Sequence, residues 1–200
     1  MLLDKFCHMP ILRKTPWFAL FGLINGACYG LSYMMSEEDY VYYFGYKGEG
    51  RYSDLIRAQV GSNTLTNAMW TAPALIVGGM YMHKQVGYMT MGKFTLMSLL
   101  GIAAFQTAFN PSNHYTFLPN VRVFNDKTFG VKFDSMGYHP KFGCYFMGAD
   151  NMAMSLIYFA AFYHRMWALG LGFALFDTLY YGPQFAGAPL SAMIGAMTLL

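Results

Sequence analysis

In a chain of 200 residues, hydrophobic side chains make up 56% and aromatic ones 18%, against 12% charged, about half the charged share of an ordinary globular domain. That much apolar side chain cannot be hidden in a 200-residue globule whose surface must stay wet, so an ordinary soluble domain is excluded and the chain reads as an integral membrane protein. The net charge of +3 is too mild and too scattered for a nucleic-acid reader.

Charge-free runs of about 20 residues predict the membrane spans. The first, Thr15 to Ser36, follows a short leader carrying Lys5, Arg13 and Lys14 against Asp4; it is longer than a signal-peptide core and reads as a retained helix over 15–36. The next run predicts a span over 60–83. A third covers 94–109, stopping before Asn110-Pro111 because the residue preceding proline disfavours helix. Further spans are expected over 144–164, 166–181 and 184–200, the last two divided at Gly182-Pro183. If that break were only a kink, five helices would result instead of six. The fold class is therefore all-α: one polytopic helix bundle over 1–200. Two long segments, 37–57 and 110–141, rich in Tyr, Phe, Gly and Asn, read as ordered loops on one side.

Orientation follows from the basic residues. The N-terminal leader and the short turn expected at 84–93 hold Lys5, Arg13, Lys14, Lys84 and Lys93, and the positive-inside rule places that side in the matrix or cytoplasm. Arg13, Lys14, Lys84 and Lys93 are accordingly candidates for anionic lipid headgroups. Trp17, Trp70, Trp167 and many Tyr residues fall near span ends or loops, as interfacial belts do, Trp70 fitting least well.

Small residues are the clearest pattern. Gly22, Gly26 and Gly30 recur every fourth residue in "FGLINGACYG", and Gly187, Ser191 and Gly195 repeat the device in the last span. Hydrophobicity does not drive helices together in lipid; close packing does, and small residues permit it. The stripes are expected to seat helices, whether of this chain or of a partner.

Two carboxylates, Asp150 and Asp177, fall inside spans four and five. An ionisable group in a span is a functional candidate; here the alternatives are a proton or quinone-headgroup contact, and a polar tie between the two helices or a snorkelling pair with Lys141, with Asn151, Thr178, Tyr180 and Tyr181 as hydrogen-bonding neighbours. His83 and His164 end even-numbered spans and share a side, a placement that suits haem ligation. Each precedes a base, Lys84 or Arg165, which marks a membrane boundary and favours interfacial anchors. Cys7, Cys28 and Cys144 are odd in number and form no CxxC pair, so neither a disulfide framework nor a zinc site is expected. No GxSxG, HExxH or P-loop occurs. No catalytic residue, metal or cofactor is assigned.

The order of features resembles the rhomboid family of intramembrane serine proteases and their inactive relatives. The long first loop is 37–57, the HxxxN pattern falls on Asn63 and Asn67, and "VGGMYMHKQVG" is similar to the end of helix two and its turn. The family's GxSG falls on Gly148-Ala149-Asp150-Asn151 and its histidine on Gln184, before Gly187. With Asp150 and Gln184 in place of the serine and its base, the resemblance implies an inactive relative. "FGLINGACYGLSY", 21–33, resembles instead the Tim17-type proteins of the mitochondrial inner membrane, which include an accessory subunit of respiratory complex I. Both likenesses imply a non-catalytic membrane scaffold. The first expectation is an accessory subunit of a mitochondrial respiratory complex in the inner membrane, N-terminus in the matrix, with other subunits and phospholipids such as cardiolipin as partners. The alternative is a stand-alone pseudo-rhomboid, for instance in the endoplasmic reticulum membrane, binding transmembrane clients in quality control.

Overall fold

Helix α1, Trp17–Ser32, opens directly after Pro16, whose carbonyl accepts the Leu20 N–H at 2.9 Å. A proline just before a helix costs little, because the first N–H groups lack intrahelical partners anyway. The computed structural model describes residues 15–45, 52–61, 65–108, 138–139, 144–145, 148–181 and 183–200. Within them the architecture is all-α, apart from one short antiparallel pair, β1 (Tyr138–His139) with β2 (Cys144–Tyr145).

The segment expected as a loop at 37–57 contains two helices, α2 (Glu37–Phe44) and α3 (Tyr52–Val60). The cause of the first is local. The Ser36 hydroxyl accepts the Asp39 N–H at 3.2 Å and donates to its carboxylate at 2.6 Å, a reciprocal cap that nucleates a helix among polar residues. The far end of α3 is held between other helices: Asn25 Nδ2 donates to the Val60 carbonyl at 3.1 Å, and Gln59 Nε2 to the Leu99 carbonyl at 3.3 Å. The second expected loop, 110–141, lies outside the described residues except for β1.

Next comes a continuous helical rod made of α4 (Leu65–Pro73), a π-helical turn (Ala74–Gly78) and α5 (Gly79–Val86). Pro73 explains the interruption: it has no N–H to donate and its ring crowds the preceding turn, and a π turn is a common way to absorb such a defect. The rod reverses at Gly87, whose φ of 87° is one that L side chains rarely adopt. The expected turn at 84–93 thus contracts to this residue. Lys84 stays on the rod, and Lys93 lies on α6 (Tyr88–Ala108) with its side chain exposed, which is why the charge does not end the helix. Among the described residues α6 is the helix long and apolar enough to cross a membrane; α1 and the later helices α7 (Gly148–Tyr163), α8 (Trp167–Tyr181) and α9 (Gly187–Leu199) are apolar but shorter. A 3-10 turn, Pro183–Ala186, separates α8 from α9.

The turn between α7 and α8 is a Schellman motif: Met166 N–H reaches the Ala161 carbonyl at 2.9 Å and Arg165 N–H the Phe162 carbonyl at 3.0 Å. Its left-handed position, φ 62°, is occupied by Arg165, where glycine is the usual choice. A side chain there costs about 1 kcal/mol.

The core is centred on three stacked rings. Phe94 of α6 lies between Phe18 of α1 (centroids 5.4 Å, 22°) and Phe159 of α7 (4.0 Å, 18°), all three fully buried. Helix α9 closes over this stack at Gly195, where a Cβ would stand 2.7 Å from the Phe94 ring. Contacts of α9 fall mainly on α6 and α7. Gly26 is different: a Cβ there meets nothing within 4 Å. The Gly195→Leu variant should therefore lose about 3 kcal/mol of stability through overpacking. Gly26→Leu should leave the chain as stable or slightly more so, since it relieves the helix cost of glycine. The two thermal unfolding midpoints, measured side by side, check this.

Candidate functional site

Two glycines four residues apart within one stripe can have opposite surroundings, and α1 shows it. Gly22 seats the π turn: a Cβ would stand 2.8 Å from Ile76 Cγ1 and 2.9 Å from the Ala72 carbonyl oxygen. The rod answers with Gly79, where a Cβ would be 2.8 Å from Phe18 Cβ. The backbones approach this closely because both positions lack a side chain. Gly26 and Gly30, the remainder of the stripe, have open space around them and lie exposed with Leu23 and Leu31.

The last helix uses its stripe within the chain. At Gly187 a Cβ would meet the Gly101 carbonyl oxygen at 2.8 Å and Ile102 Cα at 2.9 Å, both backbone atoms that cannot rotate away. Ser191 is buried and donates to the Gly187 carbonyl at 2.6 Å. With Gly195 against Phe94, the whole 187–195 face is engaged by α6 and α7.

Polar side chains populate the interior. Ser98 of α6 and Ser155 of α7 share a buried hydrogen bond of 2.7 Å. Asn25, Gln59, Thr71, Gln106 and Asn151 are also buried. The Gln106 amide forms no hydrogen bond among the described residues. Sequence reading passed over Asn25, Gln59, Ser98, Gln106 and Ser155; the available signal was that a polar residue inside a charge-free run is favoured on the packed side of its helix, where partners are to be found.

Asp177 of α8 accepts a hydrogen bond from the Tyr158 hydroxyl of α7. This bond joins α7 to α8, and Tyr158 is not among the neighbours expected for Asp177. Thr178 donates to its own helix at Ala174, and the Tyr180 and Tyr181 side chains lie outside the described residues. Tyr158 was missed because it stands two helical turns beyond Asp150 and Asn151, about 12 Å along α7. Asp150 falls in the first turn of α7, and its side chain lies outside the described residues.

The two histidines are partnered separately. His83 is buried and stacks on Tyr88 (4.8 Å, 26°), with neither ring nitrogen hydrogen-bonded among the described residues. His164 is exposed; its Nε2 lies 3.2 Å from the Tyr81 hydroxyl. No group of three or more His, Cys, Asp or Glu that could hold a metal ion occurs among the described residues. Of the expected headgroup residues, Lys84 and Lys93 are exposed, and Arg13 and Lys14 lie outside the described residues.

The site is thus a set of packing contacts and polar ties, and its energetics can be measured directly. Asp177→Ala should cost about 2 kcal/mol, the worth of a hydrogen bond to a charged group. Tyr158→Phe should cost nearly as much, and the double variant no more than the larger single effect. Thermal unfolding of the three variants gives the cycle.

No protein-family model, curated protein or solved structure matches this chain.

Proposed function

We propose that this chain is a non-catalytic accessory subunit, embedded in the mitochondrial inner membrane, that packs and supports a large respiratory complex. One observation carries the reading: large apolar side chains cover the outside of the helices as well as the core. Asn25, Gln59, Ser98, Gln106 and Ser155 are buried beside the apolar core, while Leu169, Leu171, Phe173, Leu175, Phe176 and Leu179 of α8 all face outward, the last 75% exposed. Fully burying one such side chain is worth about 1.5–3 kcal/mol. Leaving the set half in water forgoes on the order of 5–10 kcal/mol, as much as a typical domain's whole stability. Lipid or a partner helix removes that cost. Helix α6 supports the same reading, since only 28% of its most apolar stretch is buried, whereas the core helix of a soluble protein is mostly covered.

The open end of the α1 stripe supports the role of a subunit. A Cβ at Gly26 or Gly30 would meet nothing within 4 Å among the described residues, which leaves that face open to a partner helix. Placement in a mitochondrial complex rests on the likeness of residues 21–33 to Tim17-type proteins.

A second reading, a pseudo-rhomboid that binds transmembrane clients, has one observation in its favour. Helix α7 begins at Gly148, where the resemblance puts the start of the family's fourth helix, and it is packed by α1, α3, the rod, α6, α8 and α9. Crosslinking separates the two: fixed stoichiometric partners support the subunit, changing transient clients the pseudoprotease.

The subunit reading predicts that the protein stays in the membrane pellet after an alkaline carbonate wash and co-migrates with a large assembly on native gels. The double variant Gly26→Leu, Gly30→Leu should keep its unfolding midpoint and lose that co-migration. Release by carbonate, or a stable monomer in native membranes, contradicts the proposal.

A further inference from the structure

The α5 end of the rod meets the α7–α8 turn through Tyr81 and His164. The Tyr81 hydroxyl lies 3.2 Å from His164 Nε2, and the two rings stack at 6.0 Å and 27°. Lys84 sits one helical turn beyond Tyr81 on the same face, and Arg165 directly follows His164. Both cations are exposed. No acidic residue occurs in 55–125 or in 151–176, so the elements that carry the pair bring no carboxylate to this end.

Each cation also ends an exposed apolar track. On the rod, Val77, Met80 and Tyr81 lead to Lys84 at helical spacing, all of them exposed. On the other side, Arg165 passes straight into Trp167 and Leu169 of α8, likewise exposed. The position of Arg165 adds a further argument. Its left-handed backbone is one where glycine is the default, so conformation alone does not account for an arginine there.

From this juxtaposition we infer that Lys84 and Arg165, braced by the Tyr81–His164 contact, form a binding site for the headgroup of an anionic phospholipid. The phosphodiester lies between the two cations, and the acyl chains run along the tracks of the rod and α8. A ligand that needs both paired positive charge and adjoining apolar surface is a phospholipid, not a free phosphate ion. The inference rests on the membrane reading and deepens it by naming a lipid class and the residues that hold it.

The test is native mass spectrometry of the full-length chain released from detergent, offered phosphatidylglycerol and phosphatidylcholine at equal concentration. The wild type should retain phosphatidylglycerol preferentially. Lys84→Gln and Arg165→Gly should each lower that retention about fivefold, and a large excess of inorganic phosphate should not displace the lipid. Arg165→Gly suits its backbone position, so its unfolding midpoint should be unchanged or higher and loss of lipid cannot be ascribed to misfolding. Equal retention of both lipids, unchanged retention in the variants, or displacement by inorganic phosphate overturns the headgroup site and leaves the membrane reading standing. A wild-type chain that remains soluble without detergent and retains neither lipid overturns the membrane reading itself.

Discussion

The stack of Phe18, Phe94 and Phe159 holds because Gly195 has no side chain. Three rings from α1, α6 and α7 occupy the centre, and α9 can lie across them only where its backbone comes into contact with the Phe94 ring. Each aromatic pair adds about 0.5–1.5 kcal/mol beyond its burial, but the larger consequence is geometric. The stack sets how far apart α6 and α7 stand, and that spacing brings Ser98 to Ser155. The same close fit continues along α9 to Gly187, which meets the backbone of Gly101 and Ile102. On the other flank, Phe18 rests against Gly79 of the rod while Gly22 rests against the π turn. Interlocking rings join α1, α6 and α7, and glycines let α9 and the rod approach them closely, the kind of packing that small residues permit between helices.

Such a core leaves room for polar groups inside and apolar ones outside. In a low-dielectric surround a satisfied hydrogen bond is strong and an orphaned group is costly, so ties such as Ser98–Ser155 and Tyr158–Asp177 both fasten the helices and specify their register. The outward face carries no comparable polar chemistry over most of α8. In the proposed setting that face meets lipid or neighbouring subunits, and the cationic end formed by Lys84 and Arg165 meets headgroups. Function on this account is a matter of surfaces: a tight interior for stability, an open glycine face for docking, and a charged rim for lipid.

How much of this was legible in the sequence depends on the range of the interaction. The helices of the charge-free runs were legible because apolar composition is a property of each segment alone. The small-residue faces at 22–30 and 187–195 were legible as packing devices, but their partners were not. Periodicity places residues on a face without saying what lies opposite, which is why Gly22 and Gly26 look alike in the sequence and differ in the fold. Two local features were readable and missed. The Ser36–Asp39 spacing is a capping signal that starts α2 within a segment taken for loop, and Pro73 inside an apolar run announces a disturbed helix. Lys93 misled in the other direction, because a charge on an exposed helical face does not end a helix. Tyr158 as the partner of Asp177 could not be read at all, since it depends on how two helices slide past each other.

Cysteine labelling in intact membranes tests the central claim most directly. In a background with Cys7, Cys28 and Cys144 replaced, single cysteines at Leu175, on the outward apolar face of α8, and at Lys84, on the cationic rim, are treated with a membrane-impermeant maleimide applied to both sides. The account predicts rapid modification at position 84 and none at position 175 until the membrane is dissolved and the protein unfolded. Equal, rapid modification at both positions would mean that the apolar face of α8 stands in water, and would contradict it.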